Sequence, residues 1–144
     1  MFISNITERG VMPALVKSLA FNEARLGVIA ENIANSETPG YKTKHLDAAV
    51  FQRALRKALD ARGNDTSKPL VISAGTELRT DAHGFLQATP TEDGNENILF
   101  HDGTNMSLER QMADLAETGM AHELVTALLD MRFDELRRAI RGRA

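Results

Sequence analysis

Apolar residues recur in the first third of the chain at Leu15, Leu19, Leu26, Ile29 and Ile33, with spacings that alternate four and three once Asn22 is counted into the row. This is a heptad stripe, and on a helix it keeps one seam turned toward a neighbouring helix. Val16, Ala20 and Ala30 broaden it. Pro13 suits the first turn, where its missing N–H would have had no helical partner anyway. The row therefore predicts a helix from Pro13 to about Asn35, roughly 35 Å long at the usual rise per residue. Ser36-Glu37-Thr38-Pro39-Gly40-Tyr41 ends it. Pro39 disfavours helical geometry at Thr38, and Pro-Gly fits the two central positions of a type II turn.

A second row runs through Leu108, Met112, Leu115, Gly119, His122, Thr126, Leu129, Phe133, Leu136 and Ile140, again without a slip in spacing. Ser107 suits the N-cap and Glu109 the first turn, so a helix of roughly 50 Å is expected to run almost to the end. Gly119, His122 and Thr126 weaken the middle of its seam. Leu124, Val125 and Leu128 form a second apolar stripe beside it, and a helix apolar on two flanks wants more than one neighbour. Between the two rows, Leu46 to Ala61 reads as a shorter helix with Val50, Ala54, Leu55, Ala58 and Leu59 inward. Residues 62–69 read as a loop. Leu70-Val71-Ile72 and Ile98-Leu99-Phe100 read as short strands or extended segments, in a stretch whose Thr, Gly, Asp and Asn content suits partial disorder in the free chain.

The expected fold is mainly α. Long N- and C-terminal helices pack as a coiled coil, with a short middle helix and an irregular middle segment carrying short strands. The organisation is one structural domain in three parts: 1–45, 46–106 and 107–144. Periodicity alone also fits a small intramolecular bundle. Two long helices with wide stripes and only one short third helix leave apolar surface uncovered, and such surface usually marks a partner interface.

The 144 residues are the size of one domain, with 42% hydrophobic and 26% charged. A formal net charge of −3 speaks against nucleic acid as a partner. Arg132, Arg137, Arg138, Arg141 and Arg143 gather near the end of the last helix, where cations meet unpaired carbonyls; an anionic partner is the alternative. The absence of cysteine excludes a disulfide framework and a thiolate site. No apolar run is long enough to span a bilayer. The start, Met1 to Arg9, has neither a basic n-region nor a long apolar stretch, so a cleaved Sec-type signal is not expected. The chain is then either cytoplasmic or exported without a cleaved signal.

His45, His83, His101 and His122 lack the spacing of a metal-ligand pair. Asp102-Gly103 reads as a turn, and no nucleophile elbow, phosphate loop or dinucleotide fingerprint accompanies it. The expectation is no catalysis, no metal and no cofactor.

Glu31-Asn32-Ile33-Ala34-Asn35-Ser36-Glu37-Thr38-Pro39-Gly40-Tyr41-Lys42 closely resembles the N-terminal signature of the flagellar axial proteins, the rod, hook and hook-associated subunits. The signature residues are Asn32, Ala34, Asn35, Thr38, Pro39, Gly40 and Tyr41. Asn32 and Asn35 are expected to bond locally as the helix ends, and Tyr41 to set an aromatic ring with a polar tip against a neighbour. The strings 102–112 and 128–140 resemble the opening and close of the C-terminal helix of that family's proximal rod subunits, so the resemblance covers about residues 10–45 and 100–142. It implies a structural subunit that leaves the cytoplasm through the flagellar type III apparatus. Such a subunit polymerises in the periplasmic basal body through its terminal helices. The implied partners are copies of itself and other rod subunits, the rod-base adaptor, the inner-membrane ring and the export gate. The implied assembly seam is the pair of apolar rows above. Phe2-x-x-x-Ile6 resembles the export-gate motif of rod and hook subunits. The alternatives are another rod subunit of the family and, in a different class, a cytoplasmic helical export chaperone or regulator.

Overall fold

The computed structural model describes residues 10–65, 67–92 and 108–142. Helix α1 spans Met12–Ala34, with Pro13 in its first turn. Strand β1 is Lys44–His45, and helix α2 spans Ala48–Arg62. The short strands β2 (Ser73–Ala74), β3 (Leu78–Thr80), β4 (Leu86–Ala88) and β5 (Thr91–Glu92) follow. Helix α3 spans Leu108–Ile140. The expected Phe2 and Ile6 motif, the Ser107 cap, the 98–100 strand and His101 lie outside the described residues.

α2 starts where a side chain can serve its first amides: Asp47 Oδ1 accepts from the N–H groups of Ala49 at 2.7 Å and Val50 at 3.4 Å. It stops at Gly63, whose φ of 58° is left-handed, a conformation that glycine adopts without strain. In the described part of the Thr- and Gly-rich middle, β2, β3 and β4 form an antiparallel sheet in that order, with Leu78 opposite Ala88 and Thr80 opposite Leu86. Its entry is fixed by Thr80, whose N–H donates to the Ile72 carbonyl while its Oγ1 accepts from the Ile72 N–H. β1 pairs separately with β5.

The core is built from Phe21 and Val28 of α1, Phe51 and Ala54 of α2, and Leu46, Ile72 and Leu78. The Phe21 and Phe51 rings stack with centroids 4.2 Å apart. α1 is thus a two-sided helix. Phe21 and Val28, which lie off the heptad row, face α2 and the sheet, while α3 packs along another side. Lys17 is buried as well; its Nζ donates to the Gly84 carbonyl at 2.7 Å, tying α1 to the β3–β4 turn. Burial pushes the Lys17 amine below the usual lysine range, partly opposed by Asp81. Of the residues expected to broaden the first stripe, Val16 is 40% exposed and Ala30 is exposed. Leu59 of α2, expected inward, is 39% exposed. On helical spacing Val16 and Ala30 fall on the side of α1 turned away from Phe21 and Val28, and Leu59 falls at the edge of the Phe51 face of α2.

Candidate assembly interface

α1 ends in a short cascade of local bonds. Asn35 Nδ2 donates back to the Glu31 carbonyl at 2.8 Å, and its carbonyl accepts from the Thr38 N–H at 3.0 Å. Thr38 Oγ1 donates to Asn35 Oδ1. The Tyr41 N–H then donates to the Thr38 carbonyl at 3.2 Å, closing a turn over Pro39 and Gly40. Gly40 has a φ of 73°, the conformation that the third residue of a type II turn requires. Ala34, Thr38, Pro39 and Gly40 are exposed on this turn, and Asn35 and Tyr41 are half-buried.

Asn32 behaves differently from the local bonding expected of it. It is 1% exposed, and its amide makes four bonds. Nδ2 donates to the Lys44 carbonyl at 2.8 Å and to Gln111 Oε1 at 3.1 Å. Oδ1 accepts from the Lys44 N–H at 3.0 Å and from the Tyr41 hydroxyl at 3.1 Å. A carboxamide has two donors and two lone pairs, so Asn32 is fully satisfied. The polar tip of Tyr41 therefore lands on its own chain. Burial holds the Tyr41 hydroxyl above the usual phenol range, the Glu31 charge adds to this, and Lys44 opposes it. Lys44 Nζ donates to Glu31 Oε1 at 2.6 Å, and this bond raises the Lys44 pKa.

The seam between α1 and α3 carries a second polar contact, Arg25 with Asp114 at 3.5 Å. Asn32 meets Gln111 while Arg25, seven residues earlier, meets Asp114, so the helices run antiparallel. Continuing that register brings the first turn of α1 near Leu129. Both Met12 and Leu129 are buried. A cleft of about 200 Å³ opens between the three helices, lined by residues including Ser18, Phe21, Arg25, Phe51, Thr118 and Val125. Thr118 Oγ1 is buried there without a hydrogen-bond partner. Among the described residues no cluster of His, Asp or Glu has metal-binding geometry, and no helix is long and apolar enough to cross a membrane.

The two heptad rows fall unevenly on this seam. In α1, Ile29 is buried, while Leu15, Leu19, Leu26 and Ile33 are half-buried. In α3, Leu129 is buried and Leu115 and Leu136 are half-buried. Leu108, Met112, Phe133 and Ile140 are exposed, Ile140 at 78%. Reading the rows missed Arg25, Gln111, Asp114 and Thr118. The available signal was a polar row, Ser18, Arg25 and Asn32, spaced seven apart beside the apolar one. Polar residues in a heptad seam are often there to fix register.

The sequence pattern of the family described as "Flagella basal body rod protein" matches residues 16–42, most of α1 together with the Asn32 turn. Relatives extend the likeness over most of the chain. Flagellar basal body rod protein FlgB of Cereibacter sphaeroides is 29% identical over 133 residues, covering 88% of this chain and 90% of that protein. The chain is similar to flagellar basal body rod proteins over most of its length. FlgB of Borrelia hermsii is 29% identical over 109 residues, covering 71% of this chain and 74% of its own. FlgB of Escherichia coli is 24% identical over 116 residues, covering 78% and 80%. The family match ends at Lys42, so it takes in Asn32 and Tyr41 but neither Lys44 nor Gln111, their partners in the clasp.

Proposed function

We propose that this chain is a structural subunit of the proximal flagellar rod, which polymerises through its terminal helices after export by the flagellar type III apparatus. The supporting observation is a stripe on the outer side of α3. Met120, Leu124, Leu128 and Met131 share one helix face and are 67%, 62%, 39% and 61% exposed. Phe133 and Ile140, which belong to the inner row with Leu129, are exposed as well toward the end of the helix. A contiguous apolar face of this kind on a small chain marks a partner surface, and the homology supports other rod subunits as that partner. Heterologous contacts between such faces that do not close on themselves generate a helical polymer, the symmetry a rod needs. The half-buried row residues of α1 form the other side of the proposed assembly seam. In this reading the rod-base adaptor and inner-membrane ring are its neighbours at the base. Phe2 and Ile6 serve the export gate. The chain does no catalysis and takes no cofactor.

The test is the double substitution Leu124→Asp with Met131→Asp. Both side chains are exposed, so the purified variant should unfold at the same denaturant concentration as the wild type. In cells lacking the native copy it should be expressed, fail to restore swimming, and be missing from detergent-resistant basal bodies. A variant that swims and co-purifies with basal bodies as the wild type does would remove the outer stripe from the assembly surface. Leu129→Asp is a poorer probe, because Leu129 is 7% exposed and its loss would disturb the fold itself.

A further inference from the structure

The Asn32 amide joins three parts of the chain that are far apart in sequence. Its oxygen serves the turn, through Tyr41 and the Lys44 N–H. Its nitrogen serves the Lys44 carbonyl and, on α3, Gln111 Oε1. At 1% exposure there is no water to replace a missing partner. The orientation of the amide also matters. With oxygen and nitrogen exchanged, the NH2 group would face the Tyr41 hydroxyl and the Lys44 N–H, and the oxygen would face two acceptors. Gln111 is the one partner of this amide that does not come from the turn segment 41–44, and it is an acceptor.

We propose that Gln111 is a positioning residue for the turn: by accepting from Asn32 it holds the amide in the orientation that orders residues 41–44, so the turn takes its shape only when the C-terminal helix is docked. This rests on the reading of α1, α3 and the turn as the assembly elements of a rod subunit. Under that reading it makes the turn a sensor of helix pairing. A chain whose α3 has not yet packed on α1 presents a loosened turn, and a chain with both terminal helices paired presents a formed one. Arg25 and Asp114 set the same register one step along the seam, so α3 meets Asn32 with Gln111 and not with a neighbouring residue.

Two substitutions separate hydrogen-bond polarity from mere disturbance. Gln111→Glu keeps an acceptor opposite Asn32 Nδ2. Gln111→Lys offers only donors. Amide hydrogen exchange is measured on the full chain as a dilute monomer, so the outcome does not depend on whether rods form. The expected result is exchange of the Lys44 N–H at least tenfold faster in Gln111→Lys, with Gln111→Glu close to wild type. The Phe51 N–H, which donates to the Asp47 carbonyl at the start of α2, should be unchanged in both. Equal Lys44 exchange in the two variants, or wild-type exchange in both, would overturn the proposal. So would a parallel loss of protection at Phe51, which would make Gln111 a general packing residue. Normal Lys44 coupling in a chain whose outer-stripe variant still builds rods would sink the assembly reading and leave this one standing.

Discussion

α1 and α3 carry the same heptad spacing yet bury very different amounts of themselves. Nine of the 23 residues of α1 are buried, against two of the 33 in α3. α1 lies between α2 with the small sheet on one side and α3 on another. Among the described residues α3 packs chiefly on α1, with a cleft between it and α2, and beyond Leu129 the side chains of Met131, Phe133 and Ile140 are exposed. Periodicity states that a face wants a neighbour; it does not state whether the neighbour is in the same chain. The difference teaches that the first helix is the foundation of this fold, and that much of the last helix is surface for something else.

The largest effect that distinguishes the two helices is expected from truncating one side chain in each. Phe21→Ala removes a stacked ring from the core and should cost about 3–5 kcal/mol of stability. Leu124→Ala, on the outer face of α3, should change stability by less than about 0.5 kcal/mol in the dilute chain. Urea denaturation followed by circular dichroism reads both. Comparable losses at the two sites would mean that the outer face of α3 is covered within the chain, and the contrast between the helices would fall.

Much of this arrangement was legible in the residues. Pro13 at the start of α1, the Thr38–Tyr41 turn and the extents of the three helices follow from backbone chemistry that acts over a few positions. The core face of α1 was not, because Phe21 and Val28 stand outside the heptad row, and a search for a seven-residue repeat favours a single neighbour. The β2–β4 sheet was hidden for a different reason. Strands of two or three residues are too short to show an alternating pattern, and Thr80 stabilises them through a side-chain bond to Ile72. Asn32 reads as a helix-ending residue, but its partners Lys44 and Gln111 are 12 and 79 residues away, and no local rule reaches that far.

An intermediate effect should appear on raising the pH, and it sharpens the comparison because it reports on the clasp that links the two helices. The Tyr41 phenol is held above its ordinary value of 10.0, chiefly by burial. The folded chain therefore keeps this proton more tightly than the unfolded chain does. Its contribution to stability is complete below pH 10 and is lost as the pH rises through the folded value. Ionisation would also remove the donor to Asn32 Oδ1. Lys44, raised by its bond to Glu31, loses stability in the same direction, while Lys17, lowered by burial, acts in the opposite one. The informative quantity is thus the difference between wild type and Tyr41→Phe. Wild-type stability should fall more steeply above pH 10 than that of the variant. Parallel curves would show that the hydroxyl is not held in the clasp.

The smallest effect concerns the glycines inside the two helices. Gly27 is on the exposed side of α1 and Gly119 is half-buried on α3. A Cβ at either would meet no atom within 4 Å in the free chain. Alanine removes the backbone entropy that glycine loses on entering a helix, so each substitution should stabilise the free chain, by up to about 1 kcal/mol. The consequence should differ between the helices. α1 is held from two sides by tertiary packing, so Gly27→Ala should raise the melting temperature without changing helix content. α3 depends more on its own propensity, because so little of it is buried, and Gly119→Ala should add helical circular dichroism signal below the transition as well. A Gly119→Ala chain that is less stable than wild type would mean that a neighbour already sits against Gly119 in the free chain. In that case α3 would be better covered than its exposed stripe indicates, and the contrast drawn between the two helices would be too strong.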